Sequence, residues 1–267
     1  MRGSAACAAP PRDDGAPRVV LATDLDGTFV GGSPRQRAQL YDWLLRHRDE
    51  VMLVFVSGRG QAHMRDLARS IGLTPDYMIG DVGTTVESGQ GGHAPALAAV
   101  TRWLDSRWPA QAPARIDEVM RRHPGLPEQE GVSGRRKSYF LGSDALAAED
   151  AAAELRALGF DVLVSDDRYF DVLPRGVQKG PTLLRTLRAL RLPLRRTLVA
   201  GDTLNDLSMF RSGFSGVAVA NREPRLEQAL RGRQRVHLSA HPGAAGVLEA
   251  LQRFHATGGG RTWLHNW

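Results

Sequence analysis

The sequence contains one cysteine, few aromatic residues and no long hydrophobic run. Because Cys7 is the single cysteine among 267 residues, no disulfide forms within the chain, a composition typical of the reducing cytoplasm. No apolar stretch approaches the roughly 20 residues that a membrane-spanning helix requires, and residues 1–17 lack the hydrophobic segment of a signal peptide. We therefore expect a cytoplasmic protein with no membrane partner, and we interpret residues 1–17 as a disordered lead-in.

Lysine is also scarce, although the chain is basic. Lys137 and Lys179 are the two lysines among 35 basic residues, and the formal net charge is +6. The arginines are scattered and only 6% of residues are aromatic, so no basic stripe with interleaved aromatic residues is available to stack bases. We expect no nucleic-acid partner; a positive field of this kind also steers small phosphate esters towards a cleft.

The lysine at position 179 raises the question of what an ammonium group can do there that a guanidinium cannot. The ammonium group of lysine is a compact point charge, whereas guanidinium is a broad planar fork. A tight anionic pocket that admits an ammonium group and excludes a guanidinium would explain a lysine at position 179. The alternative is that Lys179 is a surface residue present by chance. We interpret Lys137 as a solvated position.

Two segments of the chain alternate between strand and helix patterns. In the first, buried strands are predicted at residues 18–23, 51–56 and 76–80, with helices at 34–49 and 61–71. In the second, the pattern predicts a helix, a strand, a helix and a strand at residues 180–190, 196–200, 204–212 and 216–219. This alternation is typical of an α/β fold with a parallel, Rossmann-like sheet covered by helices.

The residues between these segments follow a different pattern. Helices are predicted at 95–108 and 145–158, and strands at 137–141, 160–165 and 168–173. Paired strands with helices indicate a separate α+β unit inserted into the parallel one. We therefore predict a lead-in, an interrupted catalytic core, an inserted cap domain and a C-terminal tail, at residues 1–17, 18–88 with 172–257, 89–171 and 258–267.

Acidic residues directly follow one strand in each of the two parallel segments. Asp24 and Asp26 follow the first strand, and Asp202, Asn205 and Asp206 follow the strand at 196–200. If these strands are neighbours, the side chains converge at the carboxyl edge of the sheet, where ligands bind in open α/β folds. Clustered carboxylates predict a hard cation such as Mg²⁺. Taken singly, each run also fits a turn or a helix cap.

Four motifs, in order, resemble those of haloacid-dehalogenase-like phosphatases. They are Asp24-Leu-Asp-Gly-Thr, Ser57-Gly58, Lys179, and Gly201-Asp202 followed three residues later by Asp206. The inserted unit resembles the C2-type cap of that superfamily.

Further stretches of the sequence indicate which groups within this superfamily the chain resembles. The run Val82-Gly83-Thr84 and the cap stretch Arg136-Lys-Ser-Tyr-Phe are similar to the sucrose-phosphate phosphatase group. The run that begins at Gly201 is also similar to phosphatases of osmolytes such as glucosylglycerol phosphate.

The resemblance implies roles for the motif residues. It implies that Asp24 is the nucleophile that forms an aspartyl-phosphate, and that Asp26 protonates the leaving alcohol and then activates water. It places Lys179 between Asp24 and the transferring phosphoryl group. Mg²⁺ would be held by Asp24, the backbone carbonyl of Asp26, and Asp202, with Asp206 in support. The residues expected to bind substrate are Ser57, Gly58, Arg59, Arg136, Ser138, Lys179 and Asn205.

Some of these residues have alternative interpretations. Arg59 either binds phosphate or pairs near a helix start, and Asn205 is expected to orient Asp202 or Asp206. On the cap strand, Arg136, Ser138 and Phe140 share one face, which suits a polyhydroxylated sugar, while residues 137, 139 and 141 share the other. Phe140 is equally compatible with the cap core.

The sequence predicts a Mg²⁺-dependent phosphatase for a sugar phosphate or a sugar-derived compatible solute, similar to sucrose 6-phosphate or glucosylglycerol phosphate. One alternative is a non-catalytic module that partners a glycosyltransferase, with the tail from Gly258 as a linker. Another is a sugar phosphomutase. No motif acid is missing, and loss of one would favour the non-catalytic module.

Overall fold

The computed structural model describes residues 16–90, 94–132, 134–142, 145–259 and 261–264. Most of the predicted lead-in, residues 1–15, lies outside the described residues. The strands are β1 Val19–Thr23, β2 Val51–Val56, β3 Tyr77–Gly80, β4 Thr85–Ser88, β5 Lys137–Phe140, β6 Phe160–Ser165, β7 Tyr169–Pro174, β8 Thr197–Gly201, β9 Ser215–Ala218 and β10 Val236–Leu238. The α-helices are α1 Pro34–Arg46, α2 Gln61–Ile71, α3 Ala98–Arg107, α4 Ala112–Met120, α5 Ala145–Ala157, α6 Lys179–Ala189, α7 Leu207–Arg211, α8 Pro224–Leu230 and α9 Gly243–Ala256.

The core of the described chain is a seven-stranded sheet in the order β10-β9-β8-β1-β2-β3-β4. Its pairs are parallel except that of β3 with β4, which is antiparallel. Because β1 pairs directly with β8, with Thr23 opposite Ala200, the loops that carry the two acidic motifs are neighbours. The predicted α/β fold is confirmed, and so is the adjacency that the convergence of the acids requires.

Helices cover both faces of this sheet, and each face has its own hydrophobic cluster. Val19 and Leu21 lie in the cluster that α1 and α9 cover, whereas Val20 and Ala22 lie in the one beneath α6, α7 and α8. Strands of a parallel sheet are buried on both sides and therefore read as continuous apolar runs. This explains why the VVLAT and VMLVFV runs are recognisable from the sequence.

The inserted unit has its own antiparallel sheet, in the order β5-β7-β6, and its own core. Helix α5 turns an alanine-rich stripe towards this sheet, with Ala148, Ala151, Ala152 and Leu155 buried. These residues recur at the helical spacing of three and four, so they form one face. This separate sheet fits the predicted cap domain.

Two predicted boundaries of the cap need correction. Strand β7 continues to Pro174, where it still pairs with Phe160, so the cap sheet extends past the predicted end at 171. Helix α3, predicted within the cap, buries Val100 and Leu104 against Val177 instead, and it contacts α6 and β4 of the core.

Other differences concern elements that the sequence patterns did not predict, namely β4, α4, α8, β10 and α9. The predicted helix at 204–212 is a 3₁₀ turn, Leu204–Asp206, followed by the short α7. The predicted C-terminal tail contains a 3₁₀ turn, Arg261–Leu264, in which Trp263 is 1% exposed and packs in the core cluster near Phe254. This part of the tail is therefore not a free linker. Among the described residues, no helix is long and apolar enough to cross a membrane.

Candidate active site

The loop after β1 places Asp24 at the carboxyl edge of the sheet. The backbone N–H of Asp24 donates to Ala200 O at 2.9 Å, which ties this loop to β8. Gly27 follows with φ 76°, and a Cβ there would lie 2.1 Å from Asp202 Oδ2. Only glycine allows both this backbone conformation and this close approach. The Asp-Gly pair therefore brings the two acidic loops into contact.

The loop after β8 is organised around the fully buried Asp206. Its Oδ2 accepts hydrogen bonds from the backbone N–H groups of Asp202 at 2.9 Å and Thr203 at 3.1 Å. Asp202 is held from the other loop, since its Oδ1 accepts from Thr28 Oγ1 at 2.7 Å. Asp206 thus shapes the backbone that presents Asp202.

Lys179 begins α6 and joins the two loops. Its side chain is 0% exposed, and Nζ lies 2.6 Å from Asp24 Oδ1, 2.6 Å from Asn205 Oδ1 and 2.7 Å from Asp206 Oδ1. An ammonium group has three protons, and here each has an oxygen acceptor. The predicted tight anionic pocket around Lys179 agrees with this geometry. Asn205 was expected to orient Asp202 or Asp206. In the structure, its side-chain oxygen instead accepts a hydrogen bond from Lys179.

The electrostatics of this cluster reflect its burial. Burial raises the pKa of Asp24 to about 7, against the opposing effect of Lys179 and with a further rise from Asp206. Burial, together with Asp206 and Asp24, raises the pKa of Asp202 to about 8. Burial alone would lower the pKa of the Lys179 ammonium, but the carboxylates of Asp206 and Asp24 outweigh it and raise that pKa.

The acidic cluster has the composition of a divalent metal site. One carboxylate oxygen from each of Asp24, Asp202 and Asp206 lies within 4.8 Å of the others, and all three residues are buried. With all three carboxylates ionised, they and the one ammonium would leave two negative charges in this buried site. Oxygen ligands and this charge fit Mg²⁺.

The loop after β2 forms the third side of the site. Ser57 is 1% exposed, and its Oγ accepts a hydrogen bond from the Arg59 backbone N–H at 3.1 Å. A serine hydroxyl that accepts one hydrogen bond can still donate its own proton. Arg59 pairs with Asp26, with Nε 2.6 Å from Oδ2 and Nη2 3.0 Å from Oδ1. Of the two interpretations of Arg59, the structure has the ion pair.

A cavity of about 530 Å³ lies between these loops and the cap. Core residues that line it are Asp24, Asp26, Gly27, Ser57, Gly58, Arg59, Asp202, Thr203 and Asn205. Cap residues that line it are Gln129, Arg136, Ser165, Asp166, Tyr169 and Asp171. The cavity therefore has a floor of carboxylates and other polar groups with one arginine, and a largely polar cap wall.

The predicted cap residues separate into those that reach the cavity and those that do not. Arg136 lines it and bridges to the core, with Nη2 3.2 Å from Asp81 Oδ1 and Nη1 3.5 Å from Asp171 Oδ1. Ser138 is buried and donates to Asp171 instead of lining the cavity. Ser138 therefore acts behind the wall, and its predicted direct role in binding is not what the structure has.

Residues 139 and 140 lie on opposite faces of β5, as the alternation predicts. Tyr139 lies in the cap core at 2% exposure, whereas Phe140 is 37% exposed, so the placement of Phe140 in the cap core is wrong. Lys137 forms ion pairs with Asp117 and Glu128 and is 18% exposed. The solvated position predicted for Lys137 is therefore corrected to a paired one.

Several residues of the site were not predicted. Asn221 Nδ2 donates to Gly27 O at 3.0 Å and to Asp202 Oδ2 at 3.3 Å, and its Oδ1 accepts from Gly243 N at 2.8 Å. It follows strand β9, so the rule that ligands gather at the carboxyl edge could have identified it. Glu223 and the cap residues Gln129, Asp166 and Tyr169 carry no such local signal.

The fold and the motif residues define a phosphatase of the haloacid-dehalogenase-like superfamily. The family model described as sucrose-6F-phosphate phosphohydrolase matches residues 17–255. The chain therefore belongs to the sucrose-6F-phosphate phosphohydrolase family, and its enzyme class is that of phosphoric monoester hydrolases.

Relatives of known name agree with this assignment. The chain is 34% identical over 247 residues to mannosylfructose-phosphate phosphatase of Agrobacterium fabrum, covering 89% of this chain and 97% of that protein. It is 37% identical over 237 residues to glucosylglycerol-phosphate synthase of Pseudomonas anguilliseptica, covering 88% of this chain but 31% of the synthase, so it spans about a third of that relative. Among solved structures, the sucrose-phosphatase from Synechocystis sp. PCC6803 in complex with sucrose and phosphate has a TM-score of 0.80 and 25% identity, covering 89% of this chain and 98% of the other.

Proposed function

We propose that this protein is a Mg²⁺-dependent phosphatase that hydrolyses the phosphate ester of a sugar or a sugar-derived compatible solute. The observation that carries the proposal is the buried cluster of Asp24, Asp202 and Asp206 around Lys179, which opens into a cavity shared with a polar cap wall. The floor can bind phosphate, and the wall can form hydrogen bonds with hydroxyl groups.

The proposed reaction has two steps. A carboxylate oxygen of Asp24 attacks phosphorus, and as the P–O bond forms, the ester bond breaks and the leaving alcohol takes a proton from Asp26. Asp26 then takes a proton from water, whose oxygen attacks the aspartyl-phosphate to release phosphate and restore Asp24. Bound Mg²⁺ would offset the negative charge of the phosphoryl group in both steps.

Asp26 and Lys179 must each exchange a hydrogen-bond partner for this chemistry. Asp26 is paired with Arg59, so it must leave that ion pair before it can hold a proton for the alcohol. Lys179 has three acceptors, so contact with the phosphoryl group requires exchange of one of them. Asn205 is the uncharged acceptor and lines the cavity, and we propose that phosphate replaces it there.

The substrate class rests on the cap wall and on the relatives. Gln129, Arg136, Asp166 and Asp171 give the wall donors and acceptors, and Tyr169 gives it a ring. The named relatives act on mannosylfructose phosphate or bind sucrose with phosphate. We therefore propose a glycosyl sugar or glycosylglycerol phosphate as substrate.

The test is a phosphate-release screen with purified protein and Mg²⁺. The panel is sucrose 6-phosphate, mannosylfructose phosphate, glucosylglycerol phosphate, trehalose 6-phosphate and hexose phosphates. We expect one glycoside phosphate to exceed the hexose phosphates in kcat/KM. Conversion of a sugar phosphate to an isomer without phosphate release would instead identify a phosphomutase.

A second proposal is that the protein works with a glycosyltransferase that makes its substrate. It is favoured by the match to about a third of a synthase that forms a glycosylglycerol phosphate. The test is co-sedimentation of this protein with the purified glycosyltransferase that makes its substrate, both at micromolar concentration. Independent sedimentation of the two proteins would contradict the partnership.

A further inference from the structure

The turn between β6 and β7 has two acidic residues, Asp166 and Asp167, at its centre. Asp166 and Asp167 have φ 56° and 42°, and the Arg168 N–H donates to Ser165 O at 3.1 Å. Positive φ at both central residues is the geometry of a type I′ turn, in which Asn-Gly is the preferred pair. Aspartate adopts this region with some strain. Aspartate is a common first residue of this turn, whereas Asp167 occupies the second position, where glycine is preferred.

The tip of this hairpin is joined to the core at both residues. The Asp166 backbone N–H donates to Glu223 Oε1 at 2.9 Å, and the Leu204 N–H donates to Glu223 Oε2 at 2.8 Å. Asp167 forms an ion pair with Arg225 at 3.6 Å, in which both side chains are largely exposed. Glu223 therefore links the cap hairpin to the loop that carries Asp202 and Asp206.

The link through Glu223 places Asp166 at the cavity. Ser165 and Asp166 both line the cavity, and Asp167 does not. Among the described residues, Asp166 does not belong to the group of carboxylates that converge for a metal. A carboxylate on the cap wall can accept hydrogen bonds from the hydroxyl groups of a sugar. Hydrogen bonds to charged groups are stronger than those between neutral groups, so such a contact distinguishes more strongly between substrates with and without that hydroxyl.

We propose that Asp166 is a specificity-determining residue that accepts a hydrogen bond from a hydroxyl of the sugar, and that Glu223 is the positioning residue that holds Asp166 over the cavity. This proposal rests on the sugar-phosphate phosphatase activity proposed above. It assigns the two carboxylates of the turn different roles. Asp166 contacts the substrate, and Asp167 pairs at the surface.

The first experiment compares Asp166→Gly with Asp167→Gly. Glycine adopts positive φ without strain at either position, so both variants keep the turn and should unfold at or above the wild-type Tm. The measurement is kcat/KM for the best glycoside phosphate of the panel, divided by kcat/KM for p-nitrophenyl phosphate. We expect Asp166→Gly to lower this ratio about tenfold or more, and Asp167→Gly to leave it within about twofold of wild type.

The second experiment tests Glu223 without substrate, by hydrogen–deuterium exchange of the full chain. In Glu223→Ala, both acceptor oxygens are removed, so the backbone N–H groups of Asp166 and Leu204 both lose this partner. We expect faster exchange in the peptide that contains Asp166 and a lower sugar-to-aryl ratio. The control is Arg225→Ala, which removes the exposed ion pair at the same hairpin and should change neither measurement.

The outcomes separate this proposal from the proposed function. An unchanged ratio in Asp166→Gly, or equal losses in Asp166→Gly and Asp167→Gly, overturns the specificity role even if wild-type enzyme hydrolyses the glycoside phosphate. Unchanged exchange in Glu223→Ala overturns the positioning role. If wild-type enzyme releases phosphate from no sugar phosphate of the panel, the proposed function fails and the specificity role fails with it, while the exchange result still decides the role of Glu223.

Discussion

Replacement of Lys179 by arginine tests whether the site needs the shape of an ammonium group as well as its charge. Nζ is fully buried and lies 2.6–2.7 Å from three oxygens on two loops. A guanidinium is planar and larger, so it cannot direct three donors from one atom to these acceptors. It must displace Asn205 or move the loop that carries Asp206.

The expected size of the effect follows from the burial. Overpacking a filled interior destabilises a protein by about 1–3 kcal/mol, so Lys179→Arg should lower the free energy of unfolding by that amount. Loss of one preorganised donor at a reacting centre lowers kcat by about 10²–10³. Lys179→Met is expected to be worse for stability, about 3–5 kcal/mol, because Asp24 and Asp206 would remain buried without their cation.

The assay is kcat for phosphate release at saturating Mg²⁺, combined with urea unfolding. The matched control is Lys137→Arg, since Lys137 is the other lysine of the sequence and forms partly exposed ion pairs on the cap. We expect near-wild-type kcat for Lys137→Arg. Near-wild-type kcat in Lys179→Arg would refute the argument from shape.

Three further predictions follow from the same geometry. Because the folded-state pKa values of Asp24 and Asp202 are raised to about 7 and about 8, the metal-free folded protein holds protons that the unfolded chain releases above about pH 4; its stability should therefore fall as the pH rises from about 4 to 8. Mg²⁺ should raise Tm more at pH 8 than at pH 5.5, and equal shifts would contradict this linkage. Arg136→Ala should lower kcat/KM for the sugar phosphate more than Ser138→Ala does, because Arg136 lines the cavity and Ser138 lies behind it; the reverse order would show that the wall is built differently. Gly27→Ala should abolish phosphate release, since its Cβ would meet Asp202 at 2.1 Å, and a fully active variant would contradict this contact.

The sequence predicts the elements whose signal is local. The apolar runs at β1, β2 and β8 are recognisable because both of their faces are buried. The acidic motifs are recognisable because they directly follow such strands. The convergence of these motifs depended on β1 and β8 being neighbours, and the pairing confirms it.

The features that the sequence does not predict depend on contacts between distant residues. Glu223 lies 57 residues from Asp166, and its role comes from a hydrogen bond that no local pattern encodes. Helix α3 has a plain helical pattern, but only its packing on Val177 shows that it belongs with the core. The pairing of Arg59 with Asp26 likewise requires the loops after β1 and β2 to be brought together by the sheet.

The central claim is that Asp24 forms an aspartyl-phosphate in a site that depends on Mg²⁺, and the most direct measurement is phosphate release by wild-type enzyme and by Asp24→Asn. We expect wild-type turnover that chelation abolishes, that Mg²⁺ restores and that Ca²⁺ restores poorly, because its larger and looser ligand shell misplaces the phosphate. Asp24→Asn should fold, with circular dichroism like that of wild type, and should have almost no turnover, because an amide does not accept the phosphoryl group. Substantial turnover by folded Asp24→Asn, or full wild-type turnover in excess chelator, would contradict the claim.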